Sequence, residues 1–284
     1  MSHLSRRGFT LVELLIGLVL IGIVSAGVYR VLINNQRIYQ AQTQRIDMLQ
    51  NIRAGLTILP AELREISASE GDIRAMSATS ISFRGMRQLG FLCAQPILGG
   101  GSPVLTVRQR PLYGTRGFDA ARDSILVYYE GNKTTRADDA WLPGRITASV
   151  AGVCPDATAA WVITTNLNFG GRPNVTGAIQ AGSPIRGFEP VTYQLYTSGG
   201  RNYIGVQEGT AAIQPLIGPL AANGLSLAYF DSSGVATAVR ADVASLRITL
   251  RAETQREFRQ LDGSIARAVD SVTTWVSLRN NLRF

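Results

Sequence analysis

The chain has 284 residues, a net charge of +8 and 45% hydrophobic residues, enough for one large domain or two small ones and too apolar for a disordered chain. His3 is the only histidine, which argues against a histidine triad, imidazole acid–base catalysis or an imidazole metal site. Lys133 is the only lysine, and the arginines are spread as on a solvated surface rather than clustered as in a nucleic-acid footprint.

The first element is an apolar run from 9 to 28 whose single charge is Glu13, preceded by Arg6 and Arg7. Twenty helical residues rise about 30 Å, enough to cross a bilayer core. The arginines hold the start in the cytoplasm, so the rest of the chain lies outside. A secretory signal peptide is one alternative, because Val24-Ser25-Ala26 passes as a cleavage site. A twin-arginine signal is another, because Ser5-Arg6-Arg7-Gly8-Phe9-Thr10-Leu11 partly fits that motif. Neither accounts for Glu13, or for a helical pattern that runs on past the supposed cut.

That pattern continues through Ile38, Ala41, Arg45, Leu49, Ile52, Leu56, Leu59, Leu63 and Ile66, steps of three and four on one face. A helix over 9–66 follows, about 85 Å long, with Pro60 expected to kink or interrupt it. Beyond 67 the spacing of apolar residues predicts strands at 80–83, 124–130, 160–164, 191–196, 203–207, 225–230, 243–252 and 271–278. Residues 85–92, 98–103 and 170–184 read as loops, and Asp231-Ser232-Ser233-Gly234 as a turn. The expected fold class is α+β: a long helix packed on a mostly antiparallel sheet.

Within the head, Cys93 and Cys154 stand too far apart for a CxxC site. Outside the cytoplasm one disulfide is the natural reading; two buried free thiols are the alternative. Gly99-Gly100-Gly101-Ser102 lacks the Lys-Ser/Thr ending of a phosphate loop. Asp138, Asp139 and Asp242 are isolated acids that read as solvated surface, so no metal is assigned. No cofactor and no set of catalytic residues is indicated.

Gly8-Phe9-Thr10-Leu11-Val12-Glu13 closely resembles the class III signal of type IV pilins and type II secretion pseudopilins. The resemblance implies cleavage by a prepilin peptidase between Gly8 and Phe9 and N-methylation of Phe9. It also gives Glu13 a part in subunit assembly, drawing the amine of a neighbouring subunit. The chain would then divide into a leader at 1–8, a helix at 9–66 with 9–28 in the lipid bilayer, and a β-rich head at 67–284. In the head, Asp123-Ser124-Ile125-Leu126-Val127-Tyr128-Tyr129-Glu130 and Leu225-Ser226-Leu227-Ala228-Tyr229-Phe230-Asp231 resemble strands of PilW-type minor pilins. Val276-Ser277-Leu278-Arg279-Asn280 resembles the last strand of both PilW-type pilins and J-type pseudopilins. The implied role is a non-enzymatic minor pilin that primes assembly at a pilus tip. Its partners would be other minor and major pilins, the peptidase and the inner-membrane assembly platform. It would sit in the bacterial inner membrane with its head in the periplasm before moving to the pilus surface. The alternatives are a J-type pseudopilin, or a DNA-uptake pilin whose head binds nucleic acid. Major pilins often carry a proline about twenty residues after the cut; here only Gly17, Gly22 and Gly27 precede Pro60.

Overall fold

A computed structural model describes residues 10–99, 101–114, 116–260 and 263–279. Helix α1 (Leu11–Arg64) leads the chain and spans about 80 Å. The strands that follow are β1 (Ile73–Met76), β2 (Ser80–Phe91), β3 (Val104–Arg108), β4 (Tyr113–Gly114), β5 (Ser124–Tyr129), β6 (Ala140–Val153) and β7 (Ala159–Thr165). After the short helix α2 (Val175–Ala178) come β8 (Pro184–Ser198), β9 (Arg201–Glu208), β10 (Gln214–Phe230), β11 (Ser245–Glu253), β12 (Phe258–Arg259), β13 (Ile265–Ala266) and β14 (Val269–Ser277). The pairings are antiparallel, in the order β14-β11-β10-β9-β8-β5-β6-β7-β3, with β2 on the other edge of β8. This is the expected α+β arrangement.

The head has two hydrophobic cores. One lies between α1 and the inner faces of β10, β11 and β14, where Leu246, Ile248 and Leu250 are fully buried. The other fills the lobe of β3, β5, β6 and β7 around Leu105, Ile125 and Ile163. Strand β8 runs through both, with Val191 in the first core and Ile185 in the second, and β2 beside it carries Phe83 into the first. A β-bulge between Met86 and Gln88 marks the passage, and its extra residue, Arg87, points into the junction.

Three expectations need correction. Residues 85–92 are not a loop, because β2 runs through to Phe91. Gly85 and Gly90 are there for close packing: a Cβ at Gly85 would lie 2.8 Å from Val191, and one at Gly90 3.0 Å from Leu112 and Val107. The buried stripe of α1 is also rotated in its upper half. It runs through Met48, Ile52, Gly55, Leu59 and Leu63, while Ile38, Arg45 and Leu49 face solvent. Gly55 allows this, since its Cβ would meet Leu250 Cδ1 at 2.5 Å. Third, of the kink or interruption expected at Pro60, the interruption does not occur, since α1 runs on to Arg64; the proline removes one N–H but sits in the last two turns, held by packing of Leu59 and Leu63. The turn at Asp231 forms as expected, with Asp231 Oδ1 accepting from the N–H groups of Ser233 and Val235, both at 2.9 Å, and Gly234 at φ +80°.

Candidate functional site

The most unusual surface of the molecule is the first half of α1. From Leu11 to Val28 most side chains are large, apolar and exposed, Glu13 being the single charge, and nothing in the head covers them. Water would drive such a surface to aggregate, so it needs lipid or other helices around it. The segment is long and apolar enough to cross a bilayer.

Thr10 and Glu13 begin this helix with a capping box. The Glu13 N–H donates to Thr10 Oγ1 at 3.3 Å, and the Thr10 N–H donates to Glu13 Oε2 at 2.9 Å. Two orphan amides of the first turn are thus satisfied by side chains. A negative charge there also suits the positive end of the helix dipole. In the single chain Glu13 therefore has local work, and among the described residues its hydrogen bonds to Thr10 use only Oε2. Arg6, Arg7, Gly8 and Phe9 lie outside the described residues.

The second half of α1 is fixed to the head. Its C-terminal carbonyls are met by the chain end, where the Arg279 N–H donates to Arg64 O at 2.9 Å, and Arg279 pairs with Glu65 at 2.7 Å. The following corner is held by Asp72, whose Oδ2 accepts from the Ser67 N–H at 2.9 Å. Burial pushes the Asp72 carboxyl above its ordinary range, against the pull of the Ser67 N–H and Arg84. The exposed apolar half and the packed half thus form one continuous rod.

Cys93 and Cys154 are bonded at an S–S distance of 2.03 Å, joining the end of β2 to the β6–β7 turn. Beside them Asp156 accepts from Thr158 Oγ1 at 2.6 Å and from Arg108 at 2.7 Å. Asp138, Asp139 and Asp242 do not converge: Asp138 accepts from the Asn132 N–H, Asp139 from the Tyr128 hydroxyl, and Asp242 lies in a separate single turn. Among the described residues no group of three or more His, Cys, Asp or Glu could hold a metal ion.

One cluster escaped sequence reasoning. At the junction of the two cores, Glu189 is 1% exposed and lies 2.9 Å from Arg122, 3.4 Å from Arg116 and 3.7 Å from Arg87. Arg116 also pairs with buried Asp123 at 2.6 Å, and Arg87 with Glu62 of α1 at 3.1 Å. The network links helix, first core and second lobe, and each buried charge has a partner, as burial demands. Little local signal announces it: Arg116 and Asp123 lie 7 positions apart, but pairs that cross the junction, such as Arg122–Glu189 and Arg87–Glu208, are 67 and 121 apart.

A family model, the prokaryotic N-terminal methylation motif, matches residues 4–29. The match supports a type IV pilin-like family. It spans the sequence around Gly8, the capping acid and the exposed apolar run, and does not extend to the head. Proteins with this motif are structural subunits, and the likeness points to assembly with other pilins and processing by a prepilin peptidase. No curated protein matches the chain.

Proposed function

We propose that this protein is a minor type IV pilin of the PilW kind, which primes pilus assembly and takes a place in the tip complex. Cleavage between Gly8 and Phe9 would leave the apolar helix in the mature chain, with Phe9 N-methylated. The segment 9–28 would hold the subunit in the inner membrane with its head in the periplasm until extraction into the filament. There the exposed side chains from Leu11 to Val28 exchange lipid for neighbouring helices, and Glu13 attracts the N-terminal amine of an adjacent subunit. A carboxylate in a low-dielectric bundle is tolerable when it meets a cation, which is what the neighbouring amine supplies.

The observation that carries this reading is the join between the methylation motif and the head. One unbroken helix bears the motif at its start, an uncovered apolar half, and a packed half beneath the sheet. The head, with its second lobe, is bulky for a unit repeated along a shaft and suits a filament end. Immunogold labelling of native filaments against the head tests the placement. Labels at filament ends support it, and regular labelling along the shaft contradicts it. The second reading is a J-type pseudopilin, favoured by the last strand, whose residues resemble both kinds. Deletion of the gene would then abolish protein secretion and leave pili intact.

A further inference from the structure

The inner faces of β10, β11 and β14 pack on α1; their outer faces form a platform whose side chains are set by strand register. Successive rows on that face are about 7 Å apart. One row is Ala228–Arg247–Trp275, the next Ser226–Thr249–Thr273, and the next pairs Arg251 with Ser271. Trp275 is 56% exposed. Phe230 lies beside it with ring centroids 4.8 Å apart, and the Arg247 guanidinium is 5.6 and 5.7 Å from the two ring centres. The middle row is hydroxyl only, with Thr249 Oγ1 and Thr273 Oγ1 2.9 Å apart. At the far end an open trough of about 730 Å³ is lined by Asn223, Thr249, Arg251 and Asp270 together with apolar Leu195, Leu225 and Val269, and Arg251 donates to Asn223 Oδ1 there at 3.3 Å.

We propose that this platform binds an acidic polysaccharide, lying across the strands' outer face from Trp275 to Arg251. The inference rests on the pilin reading only in placing this face, opposite α1, on the outside of a filament. The chemistry stands by itself. The exposed indole of Trp275, backed by the half-buried and tilted ring of Phe230, offers an apolar surface for the C–H face of a sugar ring. Hydroxyls that both donate and accept suit sugar hydroxyls. Arg247 and Arg251, four residues apart and about 13 Å along the strand, match carboxylates spaced along a chain of sugars, and guanidinium groups grip carboxylates in two-point fashion. Nucleic acid fits less well: two arginines about 13 Å apart leave most phosphates of a strand unpaired, and one ring pair with a guanidinium beside it gives no platform for successive bases.

Affinity electrophoresis of the full-length protein in detergent tests this, with polygalacturonate, neutral dextran or a single-stranded oligonucleotide cast in the gel. Retardation by polygalacturonate alone is expected. Trp275→Ala should weaken it about tenfold, and Arg247→Gln with Arg251→Gln should abolish it, with circular dichroism melting unchanged to show that the sheet is intact. Retardation by the oligonucleotide alone, or retention unaltered in folded variants, would overturn the proposal. Filament incorporation is scored separately: a variant that enters filaments but binds no polysaccharide leaves the pilin reading standing, and a wild-type protein that binds but never enters filaments leaves the platform standing.

Discussion

Arg122 Nε lies 2.9 Å from Glu189 Oε1, and that carboxylate is buried where the two cores of the head meet. Glu208 accepts from the same guanidinium at 2.7 Å but stands on the rim. Glu189→Ala removes buried charge-assisted hydrogen bonds from Arg122 and Arg116 and the ion pair with Arg87, and should cost roughly 2 kcal/mol. Glu208→Ala, at a solvated pair, should cost less than about 1 kcal/mol. Denaturant unfolding of the two variants checks the order; equal losses would mean that the junction is held by packing alone.

At Gly55 α1 lies close against the sheet, with no room for a side chain. Gly55→Val places branched carbons where Leu250 and Ile217 already sit. Overpacking there should cost about 1–3 kcal/mol, despite the higher helix propensity of valine over glycine. Thermal melts give the answer, and Gly17→Val, where nothing lies within 4 Å, is the control that should leave the head unaffected.

The disulfide closes 61 positions of chain. In the chain-entropy treatment, losing it costs about 4 kcal/mol. Cys93→Ser with Cys154→Ser should therefore lower the denaturation midpoint strongly, and non-reducing peptide mapping of protein isolated from cell membranes should recover the linked pair. Free thiols in that material would contradict the pairing.

Asp156 should titrate abnormally. Thr158 Oγ1 first, then Arg108 and the Thr158 N–H, hold its carboxyl down to about 2 from an ordinary 3.8. A depressed folded-state value means the stabilisation is complete above pH 4 and lost as pH falls toward 2. Carboxyl carbon NMR should show that midpoint, and Thr158→Val should move it up toward the ordinary value. A wild-type midpoint near 4 would show that the Asp156 contacts do not persist in solution.

The capping role of Glu13 can be separated from the assembly role proposed for it. Glu13→Gln keeps the capping box, which glutamine also forms, but removes the charge. Thr10→Ala removes the cap and keeps the charge. If charge drives assembly, Glu13→Gln should lose filament incorporation at least tenfold while cleavage at Gly8 continues, and Thr10→Ala should incorporate nearly normally. The reverse order, scored by immunoblots of sheared filaments, would give the acid a purely local role.

The strands that could be read from sequence were those with strong alternation, such as Leu246-Arg247-Ile248-Thr249-Leu250-Arg251, where a buried face and a wet face repeat every second residue. Strand β6 was not legible: beyond Ile146 it is built of Thr, Ala, Ser, Val and Gly, with little burial contrast between its faces. The short β3 was hidden behind the glycine run before it. On α1, the sequence favours Leu49 by size, but contact with the sheet is decided by the absent side chain of Gly55. The start of the helix was legible because its chemistry is local; Glu189 was not, because its partners come from distant strands.

The central claim is that the apolar helix survives in the mature protein with a modified start. Mass spectrometry of the N-terminal peptide of protein from membranes or filaments tests it directly. The account predicts a chain beginning at N-methylated Phe9. A chain beginning near Gly27, with the apolar run removed, would contradict it.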